Sequence, residues 1–261
     1  MNLMRRIVFA FLLVGLITGC NKNSNEGRIV VRLTDSPGDY EKVNIDLKAV
    51  QIHRSNSNDE SGWITLNTNE GIYDLLELTD NVTTVIADDY LPAGQISQMR
   101  LVLGENNSVV IGGEEIPLAT PSQMQTGLKL LVNTTLTEGI TYAVLLDFDA
   151  AKSIVRSGNG TYNLKPVLKT VTEARDGAIE GTVLPSAENV AVYAMQGEDT
   201  IATSYAIENN NSFFVGGLEA GSYNLVFDPG TESNYAAFTI EGVNVSLGIV
   251  TNAGETTLLL K

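Results

Sequence analysis

Between Ile140 and Phe148 the side chains of Ile140, Tyr142, Val144, Leu146 and Phe148 occupy alternate positions, and a run patterned with period two buries its apolar set only as a strand. The same period recurs along the chain. Gly27–Thr34 places Ile29, Val31 and Leu33 on one face, and Val43, Ile45, Leu47 and Ala49 continue it before Val50 and Ile52 shift by one residue. Such a phase change predicts a bulge near Ala49 and Val50, or a strand passing from one sheet to another. Further strands are expected around Trp63–Leu66, Gln98–Leu103, Ser108–Ile111, Leu128–Val132 and Tyr162–Val171.

Helix is scarce. Tyr73–Thr79 and Ala150–Val155 are each long enough for one short helix, with Asp149 placed to cap the second. Val171–Asp176 has no sustained apolar period and precedes a fresh series of about eight glycine-punctuated strands in the 85 residues from Gly177 to Lys261. The expectation is an all-β chain of two antiparallel β-sandwich domains in tandem, spanning 27–172 and 177–261, with one or two short helices in the first.

Cys20 is the single cysteine, so no disulfide, CxxC metal site or cysteine nucleophile is available once that thiol is consumed. It closes the segment MNLMRRIVFAFLLVGLITGC, in which Arg5 and Arg6 form a basic start and Ile7–Ile17 an apolar run too short to cross a hydrocarbon core. The ending Leu16-Ile17-Thr18-Gly19-Cys20 resembles the lipobox of bacterial lipoproteins. The resemblance implies a signal peptide over residues 1–19, cleavage between Gly19 and Cys20, and lipid attachment at Cys20. At on the order of 0.8 kcal/mol per buried methylene, several acyl chains hold far better than one. Residues 20–26 would then be a polar tether, and the protein a membrane-anchored lipoprotein of the bacterial cell envelope, expected at the outer membrane.

Formal net charge is −15, and loss of the two signal arginines takes it to −17. Nucleic acid is excluded as an expected partner, because phosphate binding needs a basic footprint. The acidity is heaviest from Gly177 onward, where 10 acids face only Lys261. An acidic, self-repelling surface is the expected account of it, with a cation-binding or polycation-facing module as the alternative.

Four elements in the last 85 residues, Gly177-Ala-Ile-Glu-Gly-Thr-Val183, Val190-Ala-Val-Tyr-Ala194, Phe213-Phe-Val-Gly-Gly-Leu-Glu-Ala-Gly-Ser-Tyr223 and Gly242-Val-Asn-Val-Ser-Leu-Gly248, resemble the carboxypeptidase regulatory-like, or transthyretin-like, domain. That resemblance implies a seven-stranded, immunoglobulin-like sandwich without catalytic residues. From Gly27 to about Thr170, the pieces Val31-Arg-Leu-Thr-Asp-Ser-Pro37 with Tyr40, Gly62-Trp63, Tyr73-Asp-Leu-Leu76, Leu91-Pro-Ala-Gly94, Asp147-Phe-Asp-Ala150 and Leu164-Lys-Pro-Val167 resemble a domain-of-unknown-function family of envelope lipoproteins. A fainter similarity is to lipoprotein pilus subunits.

His53 is the only histidine, and it ends an expected strand beside Arg54, which reads as a surface position. No G-x-S-x-G accompanies it, so a serine triad has no support, and zinc chemistry lacks ligands. Asp35 and Asp39 suit a turn, while Asp147 and Asp149 end a strand; together they are the residues that could hold calcium or supply a glycosidase acid pair. Trp63 opens the apolar run WITL and reads as core, with sugar stacking as the alternative. Ser55–Gly62 is the polar loop best suited to partner contact, and Asp199-Thr200-Ile201 resembles a short O-glycosylation acceptor. The overall expectation is a non-enzymatic binding or structural module for a glycan or protein partner, with no catalytic residue, cofactor or metal beyond the lipid on Cys20. A pilus subunit or adhesin, and a carboxylate-based glycan-processing enzyme, are the alternatives.

Overall fold

The structure, a computed structural model, describes residues 26–36, 38–54, 62–80, 82–120, 127–158, 160–185, 190–206 and 211–261. Gly19, Cys20, the tether up to Asn25 and most of the loop 55–62 lie outside these. The described chain is all-β, and its sheets form sandwiches.

One sheet of four strands runs in the order β13 (Leu168–Ala174), β10 (Thr141–Asp149), β1 (Glu26–Ser36), β5 (Thr84–Pro92). It packs against a nine-stranded sheet. Along that sheet lie β11 (Ile154–Arg156), β12 (Tyr162–Leu164), β8 (Glu114–Ala119), β7 (Ser108–Ile111), β2 (Lys42–His53), β6 (Gly94–Leu103) and β9 (Leu128–Leu136), while β3 (Trp63–Thr65) and β4 (Gly71–Asp74) pair with β2. Ile29, Val31, Val144 and Leu146 from the first sheet meet Val43, Ile45, Val50 and Ile52 from the second in one core. Each such side chain contributes about 1.5–3 kcal/mol on burial. This core stands in for the absent disulfide.

The remaining strands form a three-stranded sheet, β17 (Ser212–Leu218), β14 (Gly177–Leu184), β20 (Val250–Thr257), and a four-stranded sheet, β16 (Asp199–Tyr205), β15 (Ala191–Gln196), β18 (Gly221–Asp228), β19 (Phe238–Val245). A second core around Tyr223, Phe213, Phe227 and Val192 lies between them. No described strand of the first two sheets pairs with one of the last two.

Antiparallel pairing predominates, with three exceptions. β1 with β10, β12 with β8, and β14 with β20 run parallel. Period-two patterning fixes which face is buried and is blind to direction, so these pairs do not show in the sequence.

The phase change in β2 is a bulge, where pairing with β6 shifts between Leu47 and Ala49. Of the two expected helices, Ala150–Ser153 is a single turn, α1, whose first residues are capped by Asp149 accepting from the Lys152 amide at 3.0 Å. The other is a 3-10 turn, Leu75–Leu78, since Tyr73 and Asp74 belong to β4. Strand β19 is bent where Gly242 takes φ +72° and its amide reaches Asn224 Oδ1 at 3.1 Å.

Described residues of the two halves touch each other. Phe214 and Val250 pack on the first core, which also takes in Ala178. Gly139, at φ +67°, has no room for a Cβ, which would lie 2.3 Å from the Phe214 ring. Asp176 clasps both sides: its Oδ1 accepts from the Thr141 amide at 2.7 Å and its carbonyl from the Gly248 amide at 2.8 Å.

Candidate functional site

The parallel register of β1 and β10 sets Thr34 beside Asp147, Asp35 beside Phe148 and Ser36 beside Asp149. Three of the four candidate carboxylates therefore share one end of the sheet, while Asp39 lies exposed on the following bend. Their partners are structural. Asp35 is 5% exposed, and its Oδ1 accepts from the Ala150 amide at 2.9 Å, while its buried Oδ2 meets no hydrogen-bond donor among the described residues. Burial, reinforced by the nearby charges of Asp149 and Asp147, pushes the Asp35 carboxyl up to about 6 against two amide hydrogen bonds. Asp147 accepts from Ser36 Oγ at 3.2 Å. Asp149 caps α1 and pairs with Lys152, whose hydrogen bond holds its carboxyl below the usual range. Among the described residues no group of three or more His, Cys, Asp or Glu side chains is arranged to hold a metal ion.

His53 is buried at 4% exposure, contrary to the surface reading. A strand's last residue is a surface position only if nothing pairs with it, and β2 is paired on both sides here: His53 faces Gln98 of β6 and Trp63 of β3. The Trp63 ring meets the imidazole edge-on at 5.1 Å between centroids. Trp63 is itself half-buried rather than core, with the Arg100 guanidinium 4.2 Å from its ring centroid. Arg100 thereby covers one face of the ring.

A second buried acid, Asp46, serves the fold. Burial raises its carboxyl, but the Lys48 ammonium at 2.9 Å and the Asn106 amide outweigh that and hold it below the usual range.

A half-open depression lies on the outer face of the first four-stranded sheet. Alternation in β1 sends Arg28, Val30 and Arg32 outward, opposite to Ile29, Val31 and Leu33. Beside them stand Thr141 and Ala143 of β10, Asp88 and Val85 of β5, and Arg175 just after β13, whose amide bonds the Thr141 carbonyl at 2.7 Å. These residues enclose about 420 Å³, within the roughly 300–1,000 Å³ of small-ligand clefts. Val30 and Ala143 form its floor, at 9% and 6% exposure on a face otherwise open. Arg28 binds Asp88 through both carboxylate oxygens, Nε to Oδ1 at 2.8 Å, and this pairing raises the guanidinium and lowers the carboxyl. Arg32 donates to Thr83 Oγ1 at 3.1 Å. Neither Arg32 nor Arg175 meets a carboxylate among the described residues, in a chain of net charge −15. None of the eight lining residues was a sequence-level candidate. Arg28 and Arg32 on one polar strand face of an acidic chain were the available signal; Arg175 joins only through the pairing of β13 with β10.

Fold and site together define an all-β module with an arginine-rimmed sheet face. Residues 26–166 match the family described as "Domain of unknown function (DUF4382)", and the chain belongs to that family. No curated protein matches. Among solved structures, the Bacillus anthracis TIE protein is 12% identical over 90% of this chain, with a TM-score of 0.22, and this chain spans 34% of that protein's length. The major pilin from Streptococcus pyogenes, solved as a mutant, is 9% identical over 90% of this chain and 100% of its own, with a TM-score of 0.16.

Proposed function

We propose that this chain is a lipid-anchored binding module of the bacterial cell envelope, held to the outer membrane through Cys20 and engaging its partner on the outer face of the four-stranded sheet, without catalysis. The observation that carries the reading is the depression rimmed by Arg28, Arg32 and Arg175 on an otherwise acidic protein. Arg32 and Arg175 meet no carboxylate among the described residues, and such guanidiniums attract an anionic partner. Asp35 and Asp149 are committed to backbone amides of α1, and His53 is enclosed, so these groups serve the fold. The seven strands from β14 to β20 support reading the second half as a relative of the carboxypeptidase regulatory-like domain, a spacer and display unit.

Anchoring is tested by Cys20→Ala. The variant is expected to move from the membrane pellet to the soluble fraction, and unchanged pelleting overturns the anchor. The binding face is tested in that soluble background with washed envelopes as the probe. The double variant Arg32→Gln, Arg175→Gln is expected to lose about ten-fold or more in retention; equal retention overturns the assignment of the face.

A further inference from the structure

At the hairpin between β15 and β16, Gln196 pairs with Asp199, and Gly197 at φ +62° turns the chain into open space. Thr200 therefore sits just behind a projecting tip, on the outermost strand of its sheet. We infer that Thr200 is the acceptor of a covalently attached, O-linked glycan that lies over the outer face of β16 and β15. This site is separate from the arginine-rimmed face of the first sandwich.

In five places the chain sets a hydroxyl directly after an acid: Ser36, Ser61, Thr200, Ser233 and Thr256. Burial separates them. Ser36 is half-buried, donates to Asp147 and precedes Pro37, while Ser233 and Thr256 are 6% and 4% exposed. Ser61 lies outside the described residues. Of the described four, Thr200 alone is exposed, and its neighbours Asp199 and Ile201 are exposed with it. The short acceptor-like motif is thus the one a transferring enzyme can reach on the folded protein.

The surface beside it suits a sugar. Val192 and Ala194 point into the second core, so Tyr193 and Met195 point out. Met195 faces Thr200, Tyr193 faces Thr203 and Ala191 faces Tyr205, with Ile201 the extra residue of a bulge. Ile201 is 46% and Tyr205 60% exposed, and β16 carries neither Lys nor Pro, the residues that ordinarily guard a sheet edge. A glycan on Thr200 supplies that guard, its hydroxyls in water and its C–H faces over Ile201 and the tyrosine rings.

The transfer is a substitution at the anomeric carbon. Thr200 Oγ forms the new C–O bond as the bond from that carbon to a polyprenyl-diphosphate donor breaks; the hydroxyl proton passes to a base of the transferring enzyme, and the polyprenyl diphosphate leaves with the electron pair. A phosphate on the same hydroxyl fits less well. It would stand beside Glu198 and Asp199 in a half whose only base is Lys261, whereas a neutral sugar adds no charge.

The test uses the lipidated chain recovered from the envelope of the bacterium that makes it. Cleavage after Glu198 and Glu208 frees residues 199–208, and electron-transfer mass spectrometry is expected to place a sugar mass on Thr200. T200S is expected to keep that mass and T200V to lose it, both recovered folded because Thr200 is exposed and valine suits a strand. Hydroxyl-radical labelling of Tyr205, with Tyr90 as the internal reference, is expected to rise in T200V. An unmodified 199–208 peptide in the parent, a sugar on Thr203 or Ser204 alone, a phosphate on Thr200, or a sugar mass retained in T200V overturns the acceptor assignment. Tyr205 labelling unchanged in T200V overturns the placement of the glycan over the outer face.

Discussion

Replacing Asp35 with Asn is expected to remove a loss of stability that the parent protein suffers as pH rises from about 4 to about 6. The folded carboxyl titrates near 6 against an ordinary 3.8, so between these values the folded state holds a proton that the unfolded state has released. Unfolding free energy therefore falls with pH across this window, is highest below it, and has lost its full share above it. A shift of about two pH units corresponds to about 3 kcal/mol. In Asp35→Asn the amide oxygen keeps the bond from the Ala150 amide, while its NH2 occupies the buried place of Oδ2, a penalty that does not vary with pH. Asp46, Asp88 and Asp149, all held below their usual range, act in the opposite direction and lose their contribution as pH falls. They are common to both proteins and cancel. Melting temperatures at pH 4 and pH 7 are the measurement: the parent is expected to lose on the order of 5–10 °C relative to the variant across that interval. Parallel curves would show that Asp35 ionises without cost.

The second large effect is expected at the junction. In Gly139→Val the residue must hold φ +67°, which costs about 1–2 kcal/mol, and its Cβ lies where the Phe214 ring now sits. With about 1–3 kcal/mol more for overpacking, the total is about 2–5 kcal/mol. Scanning calorimetry is expected to show the endotherm lowered by on the order of 5–15 °C and resolved into two steps, because displacing Phe214 removes its contact with the first core. Gly158→Val, at a glycine with open space around it, is the control and is expected to stay within about 0.5 kcal/mol. An unshifted single endotherm for Gly139→Val would mean that the halves do not support each other through this contact.

How far the sequence carries can be read from these same elements. β10 is legible because its inward residues alternate over its whole length, and the bulge in β2 is legible because a phase slip has few other causes. β5 is not: its own register slip buries both Ile86 and Ala87, and Asp88-Asp89 interrupts the period, so the segment lacks the pattern of a strand. The tail misleads in the opposite sense, since Leu258-Leu259-Leu260 looks like a strand, yet only Leu258 is buried and β20 lies before it in the more polar 250–257. The candidate site divides similarly. Asp149 as a helix cap follows from local spacing, whereas the burial of His53 depends on β3 crossing it and the depression depends on β13 bringing Arg175 to Thr141. Local chemistry is written in neighbouring residues; long-range chemistry waits for the pairing of strands.

The parallel pairing of β1 with β10 has a mechanical consequence. The Glu26 carbonyl accepts from the Gly139 amide and the Thr141 carbonyl from the Arg175 amide, so the first strand of the sandwich begins and its last strand ends at the same end of the sheet, on either side of the start of β10. Tension between residue 26 and the second half passes across those ends without travelling the roughly 36 Å length of the 11-residue β1. The opposite pole, with Asp35 and α1, bears none of that load.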